Sequence, residues 1–251
     1  MNDPANPTHE IDGTDRTERS SRPVRAVILD LDDTLFDHSA SARRGVARLI
    51  RELSAEPTEA LLDSWERTAE QLMSRRRAGE IDRDGYRHGR VRALLGELGR
   101  TDGAALTDAA DSERLYSRFL ELYEQEWVAF DDAVPTLRAL GEREIPVAIL
   151  TNGPEERQQR KARVLGLRDW VVGVWTSESL AARKPDAEAY LPVCAALGEE
   201  PGNVLHVGDD LLLDREGAEA AGLQALHLDR AARTPLPART LTGLADLLRE
   251  L

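Results

Sequence analysis

Five short apolar runs frame the chain: Ala26–Leu29, Val147–Leu150, Val171–Trp175, Val204–Val207 and Ala225–Leu228. Each is rich in Val, Ile and Leu, and none alternates cleanly with polar residues. That is the pattern of strands covered on both faces. Helical spacing separates the later runs, at Glu155–Leu165, Ala187–Leu197 and Arg215–Ala221. Strand and helix in alternation predict an α/β fold with a doubly wound, Rossmann-like parallel sheet. Leucines at 241, 244, 247, 248 and 251, with Thr240 as N-cap, predict a closing helix over Leu241–Leu251.

The interval between the first two runs is too long for one crossover. It reads as helices only: Ala40–Leu53, Glu59–Arg77, Asp84–Leu98 and Thr107–Trp127. In the last of these Leu115, Phe119, Leu122, Tyr123 and Trp127 recur at helical spacing and should face a small core. Pro57 and the glycines at 79, 99 and 103 mark the breaks. The economical division is a core domain from 23–37 and 131–251, an inserted all-helical domain from 38–130, and a polar leader, 1–22, expected to be disordered. Asp131–Arg143 then returns as the helix completing the interrupted crossover.

Ligands of a doubly wound sheet bind at the carboxyl ends of its strands, so the residues after each run carry the functional signal. Asp30-Leu31-Asp32-Asp33-Thr34 follows the first and Thr151-Asn152-Gly153 the second. Arg183-Lys184-Pro185-Asp186 comes after the third, and Gly208-Asp209-Asp210, with Asp214 beyond, after the fourth. All four clusters converge on one edge of the sheet. Carboxylates from two strand ends make a hard oxygen site suited to Mg²⁺, which would relieve their mutual repulsion. One of them could then attack an electrophile, since aspartate forms aspartyl-phosphates. A lysine and a threonine nearby could bind the oxygens of a transferring phosphoryl group. The chain has only two lysines, Lys161 and Lys184, so an ammonium kept at Lys184 against the prevailing arginine stands out.

The stretches LDLDDTLF, ILTNG, ARKPD and VGDDLLLD resemble, in order and spacing, the four motifs of the haloacid dehalogenase (HAD) superfamily. The resemblance covers about residues 24–230, and the helical insert is similar to that superfamily's cap. Its opening segment is similar to those of the N-acylneuraminate-9-phosphatase and nucleotidase-like members. The resemblance implies Asp30 as nucleophile and Asp32 as the general acid and base. It implies Thr151, Asn152 and Lys184 as phosphate-binding residues. Mg²⁺ would be held by Asp30, the Asp32 backbone carbonyl and Asp209, supported by Asp214. The fourth stretch departs from the usual pattern, with Leu213 where Asn is common before Asp214, and leaves open whether Asp210 shares that role. Asp33 and Asp37 are expected to shape the turn and cap the next helix, and Thr34 to bond the loop backbone.

Within that superfamily a dehalogenase typically lacks the second aspartate, here present as Asp32, and the lysine of phosphonate-cleaving caps has no counterpart in 38–130. The implied activity is a phosphatase acting on a small phosphorylated metabolite through an aspartyl-phosphate. A phosphosugar mutase is the alternative, and a non-catalytic module on this scaffold is expected to have lost Asp30, Asp32 or Lys184. Arginines crowd the insert, and Arg44, Arg83, Arg87 and Arg90 are the candidates to meet a leaving group, against the simpler expectation of solvated helix faces. The formal net charge of -13 argues against nucleic acid or an anionic membrane as partner. No apolar stretch has the length of a membrane span, the sole cysteine, Cys194, forms no internal disulfide, and a cytoplasmic monomer or homodimer is expected.

Overall fold

The computed structural model describes residues 22–100, 109–232 and 239–251. The expected leader therefore lies outside the described residues, apart from Arg22. Six parallel strands form one sheet in the order β3-β2-β1-β4-β5-β6. They are β1 (Ala26–Leu29), β2 (Val147–Thr151), β3 (Gly173–Thr176), β4 (Val204–Gly208), β5 (Gln224–Leu228) and β6 (Thr240–Leu241). The lack of alternation in the apolar runs has a simple cause. Val27, Leu29, Val147, Ile149, Leu205 and Val207 face one hydrophobic core, while Ala26, Ile28, Ala148, Leu150 and Val204 face a second on the opposite side. Both parities are buried, so both are apolar.

Between β1 and β2 the chain forms α1 (His38–Glu52), α2 (Glu59–Arg77), α3 (Arg83–Glu97), α4 (Ala109–Gln125) and α5 (Ala133–Glu142). Helix α1 packs on α4, α2 on α3, and α3 on α4. Phe119, Leu122 and Tyr123 are buried as the spacing requires, whereas Leu115 and Trp127 only flank the core. Gly45 permits the close approach of α1 to α4, since a Cβ there would lie 2.8 Å from the Tyr123 Cα. Where the chain leaves and re-enters the sheet domain, the two crossings bond to each other: Asp37 N–H donates to the Val128 carbonyl and Phe130 N–H to that of Leu35, both at 3.0 Å.

After β2 come α6 (Glu155–Val164), then α7 (Ala187–Leu197) between β3 and β4. The helix expected at Arg215–Ala221 is instead a wide π-type turn, Leu211–Glu216, running into the short α8 (Gly217–Ala220). Asp210 starts that turn by accepting from the Leu212 and Leu213 N–H groups, each at 3.0 Å. The expected closing helix is also corrected. Thr240 and Leu241 pair with His227 and Leu228 as β6, and only Leu244–Arg249 coils, as a 3₁₀ helix. The leucine spacing was that of a buried face, with Leu241, Leu244 and Leu247 all in the core, but strand pairing claims the first of them. Among the described residues, no helix is long and apolar enough to cross a membrane.

Candidate active site

Strand order reverses at β1, which has β2 on one side and β4 on the other, and such a switch point opens a crevice at the carboxyl ends of the strands. Asp30 closes β1 with its N–H on the Val207 carbonyl at 2.9 Å, so the β4 backbone fixes its position. Its carboxylate takes a 2.5 Å bond from Lys184 Nζ, and the same ammonium donates to Asp214 at 2.5 Å. Lys184, Asp30 and Asp214 are all buried. His206 Nε2 lies 3.0 Å from Asp214 Oδ1, and Asp210 N–H donates to Asp214 Oδ2 at 3.0 Å. Gly208 makes room for this arrangement, because a Cβ there would collide with the Asp214 carboxylate.

Asp30, Asp209 and Asp214 each offer one carboxylate oxygen to a group whose members lie within 4.8 Å of one another, Asp209 being the most open. One lysine does not balance three carboxylates. Burial pushes Asp30 well above the ordinary carboxylate range against the pull of Lys184, and Asp214, Asp209 and Asp32 add to the rise. Burial, with Asp214 and Asp33 nearby, pushes Asp209 up to about 7. Asp214 alone stays low: Lys184 and His206 outweigh its burial. A crowded, oxygen-only donor set with unspent negative charge fits a hard divalent cation such as Mg²⁺. A cleft of about 740 Å³, bordered by Asp33, Asp37, Asp209, Asp210 and Arg230 among others, opens beside it. Arg230 is already engaged by Asp132, at 2.9 and 3.1 Å.

Asp32 points to a different partner. Its Oδ1 accepts from Lys161 Nζ at 2.6 Å and its Oδ2 from Gln158 Nε2 at 3.0 Å. Burial works against the ionised form, but Lys161, His38 and these hydrogen bonds hold the carboxyl at about 2. Gln158 also donates to Thr151 Oγ1 at 2.7 Å, which leaves the Thr151 hydroxyl proton free to be donated. Neither Lys161 nor Gln158 was expected from the sequence. They sit three residues apart on α6, one turn of helix, and present both donors to one carboxylate. The Lys161 ammonium also lies 4.6 Å from the centre of the Phe36 ring.

The Asn152 side chain bonds the Lys184 backbone, accepting from its N–H and donating to its carbonyl, both at 2.9 Å, and so positions the lysine. Thr34 is buried, and its hydroxyl donates to Asp209 at 3.4 Å instead of to the loop backbone. Asp37 caps α1 through the Ala40 N–H, and Asp33, at φ +58°, accepts from the N–H and hydroxyl of Ser39, as the turn reading anticipates. Among the insert's arginines, Arg44 meets Glu126 and Arg87 meets Glu113, while Arg90 is buried among aromatic rings.

A family model for haloacid dehalogenase-like hydrolases matches residues 24–222. The ribulose-1,5-bisphosphate 5-phosphatase of Halopiger xanaduensis is 30% identical over 81% of this chain and 84% of its own length. The N-acylneuraminate-9-phosphatase of Mus musculus is 26% identical over 85% and 86%. A crystal structure of YfnB from Bacillus subtilis bound to magnesium shares the fold at a TM-score of 0.77, covering 92% of this chain and 99% of that one at 23% identity.

Proposed function

The chain belongs to the haloacid dehalogenase-like hydrolase family, as a phosphoric monoester hydrolase, and we propose that it is a Mg²⁺-dependent phosphatase of a small phosphorylated metabolite. In this reading 23–37 and 131–251 form the catalytic core and 38–130 the cap that closes over the leaving group. The observation that carries it is the pairing of a buried lysine with Asp30 inside a carboxylate cluster holding more negative charge than that lysine offsets.

Asp30 attacks phosphorus, and the bond from phosphorus to the ester oxygen breaks. The departing oxygen takes a proton from the carboxyl of Asp32. Water then attacks the aspartyl-phosphate, Asp32 accepts its proton, and the bond from phosphorus to the Asp30 oxygen breaks to release inorganic phosphate. Lys184, bonded to the Asp30 carboxylate, would also steady a phosphoryl oxygen, with the Thr151 hydroxyl as a further donor. Asp30, Asp209 and the Asp32 backbone carbonyl, supported by Asp214, would hold Mg²⁺, which would neutralise the negative charge gathered at the site. Asp32 as it stands, ionised against Lys161, is in the state that the second step requires. The first step requires it to carry a proton, so its contact with Lys161 has to loosen when substrate binds.

The testing experiment is phosphate release from a panel of sugar phosphates, nucleotides and an aryl phosphate, with Mg²⁺ and with excess chelator. Release that depends on the divalent ion supports the reading; full turnover in chelator contradicts it.

A further inference from the structure

One buried charge takes no part in this chemistry. Arg90, on α3, is only 7% exposed. Its guanidinium carbon lies 3.9 Å from the Trp65 ring centroid, 5.4 Å from that of Phe119 and 5.6 Å from that of Tyr86. Nη1 donates to the Tyr86 hydroxyl at 3.2 Å, while the buried Nε has no acceptor. Among the described residues no carboxylate pairs with it, although Arg43, Arg44, Arg48, Arg87 and Arg118 each meet at least one. A guanidinium withdrawn from water is unfavourable unless an anion faces it, and ring faces make up only part of the loss.

The position matters as much as the missing partner. His38 begins α1 and bonds the Tyr123 hydroxyl at 2.7 Å. Phe119, beside Arg90, stacks on Tyr123 with ring centroids 5.9 Å apart, and the Lys161 ammonium that holds Asp32 lies 5.7 Å from the Tyr123 ring. One line of rings therefore runs from Arg90, on the side of the helical insert, to the lysine that holds Asp32. The cleft carries Asp33, Asp37, Asp209 and Asp210 on its border, and the arginine there, Arg230, is already engaged by Asp132. A second negative charge on a substrate needs a fixed cation to be accepted there.

Resting on the phosphatase reading, we propose that Arg90 receives a second anionic group, a carboxylate or a further phosphate, carried by the leaving group of the substrate. The guanidinium fork suits both groups through paired N–H donors. Its aromatic surround holds the fork in one plane.

The experiment is a length series of ω-carboxyalkyl phosphates, alkanediol bisphosphates and uncharged ω-hydroxyalkyl phosphates, assayed on the wild-type protein, Arg90→Met and Arg90→Lys. At one chain length a charged ester should exceed its uncharged counterpart by about ten- to a hundredfold in kcat/KM, the scale of a hydrogen bond to a charged group. Whether the carboxylate or the bisphosphate series shows the preference identifies the group. That ratio should fall to near one in Arg90→Met and recover in part in Arg90→Lys. A wild-type protein indifferent to the second charge at every length overturns the inference without any variant, as does a preference that survives in Arg90→Met. If Arg90→Met does not fold, the ratio in Arg90→Lys decides: undiminished, it overturns the inference. Failure to release phosphate from any ester, an aryl phosphate included, overturns the phosphatase reading itself and is a separate result.

Discussion

The Lys161 ammonium lies 2.6 Å from the Asp32 carboxylate, the counterpart of the 2.5 Å contact between Lys184 and Asp30. The only two lysines of the chain thus hold one each of Asp30 and Asp32, two of the three aspartates that follow β1. Both ammoniums are almost fully buried, at 3% and 2% side-chain exposure; Asp30 is buried with its lysine, so that pair is shielded from the screening that weakens surface ion pairs, whereas Asp32 keeps a third of its side chain open to the site.

Removing Lys161 should disturb proton transfer and leave substrate capture alone. Lys161→Met is expected to lower kcat by at least about tenfold on every ester, part of the ~10²–10⁴ that general acid-base assistance contributes, with KM little changed. The pH dependence should move in a defined direction. Asp32 is held at about 2 by Lys161 against its burial, so without the ammonium its carboxyl rises and it takes up a proton at higher pH. The acidic limb of the pH–rate profile should shift upward. An unchanged limb with unchanged kcat would show that Lys161 only fills space.

Neither Lys161 nor Gln158 could be singled out along the chain, and the reason is geometric. Asp32 and Lys161 are 129 residues apart, and what joins them is the packing of α6 beside the loop after β1. The one signal the chain carries is the rarity of lysine, which marks Lys184 because it follows a strand and says nothing of Lys161, which sits in a helix. The strand ends were legible, since apolar runs buried on both faces declare themselves and polar clusters after them have few other uses. The leucines from 241 onward were misleading because a buried face looks alike whether a strand or a helix presents it. Arginine was ambiguous for a related reason: Arg44 and Arg90 have the same sequence signature, yet one meets Glu126 and the other lies under Trp65.

Metal binding should be coupled to proton release. Asp209, pushed up to about 7, is largely protonated below that pH, and a divalent cation binds its ionised form. Mg²⁺ titration followed by calorimetry in buffers of different ionisation enthalpy should show protons released below pH 7 and progressively fewer above it. The ion should also raise the melting temperature, since it binds the folded state. Asp209→Asn should abolish both effects. Calcium should bind yet inhibit, because its larger, looser coordination misplaces the nucleophile.

Asp32→Asn should separate the two aspartates' roles. The amide cannot shuttle a proton, so kcat should fall by ~10²–10⁴. The Mg²⁺-linked rise in melting temperature should persist, because the contribution proposed for Asp32 to the metal is its backbone carbonyl. Loss of that rise would mean that the side chain itself takes part in holding the ion.

Gly208 offers a test of how tightly the lysine cluster is set. A Cβ at this position meets the Asp214 carboxylate, which is fixed by Lys184, His206 and the Asp210 N–H. Gly208→Ala should cost about 1–3 kcal/mol of stability by overpacking, read as a lower midpoint in urea. It should also lower turnover by displacing Lys184 from Asp30. Wild-type stability and turnover in this variant would mean that the cluster has slack the structure does not show.

The central claim is that Asp30 is the nucleophile, and phosphate release by Asp30→Asn on an aryl phosphate, with saturating Mg²⁺, tests it most directly. The side chain keeps its size and its place at the end of β1, yet an amide cannot attack phosphorus. Release by the wild type and none above background by the folded variant is the predicted result; release by Asp30→Asn at a rate near that of the wild type would contradict the account.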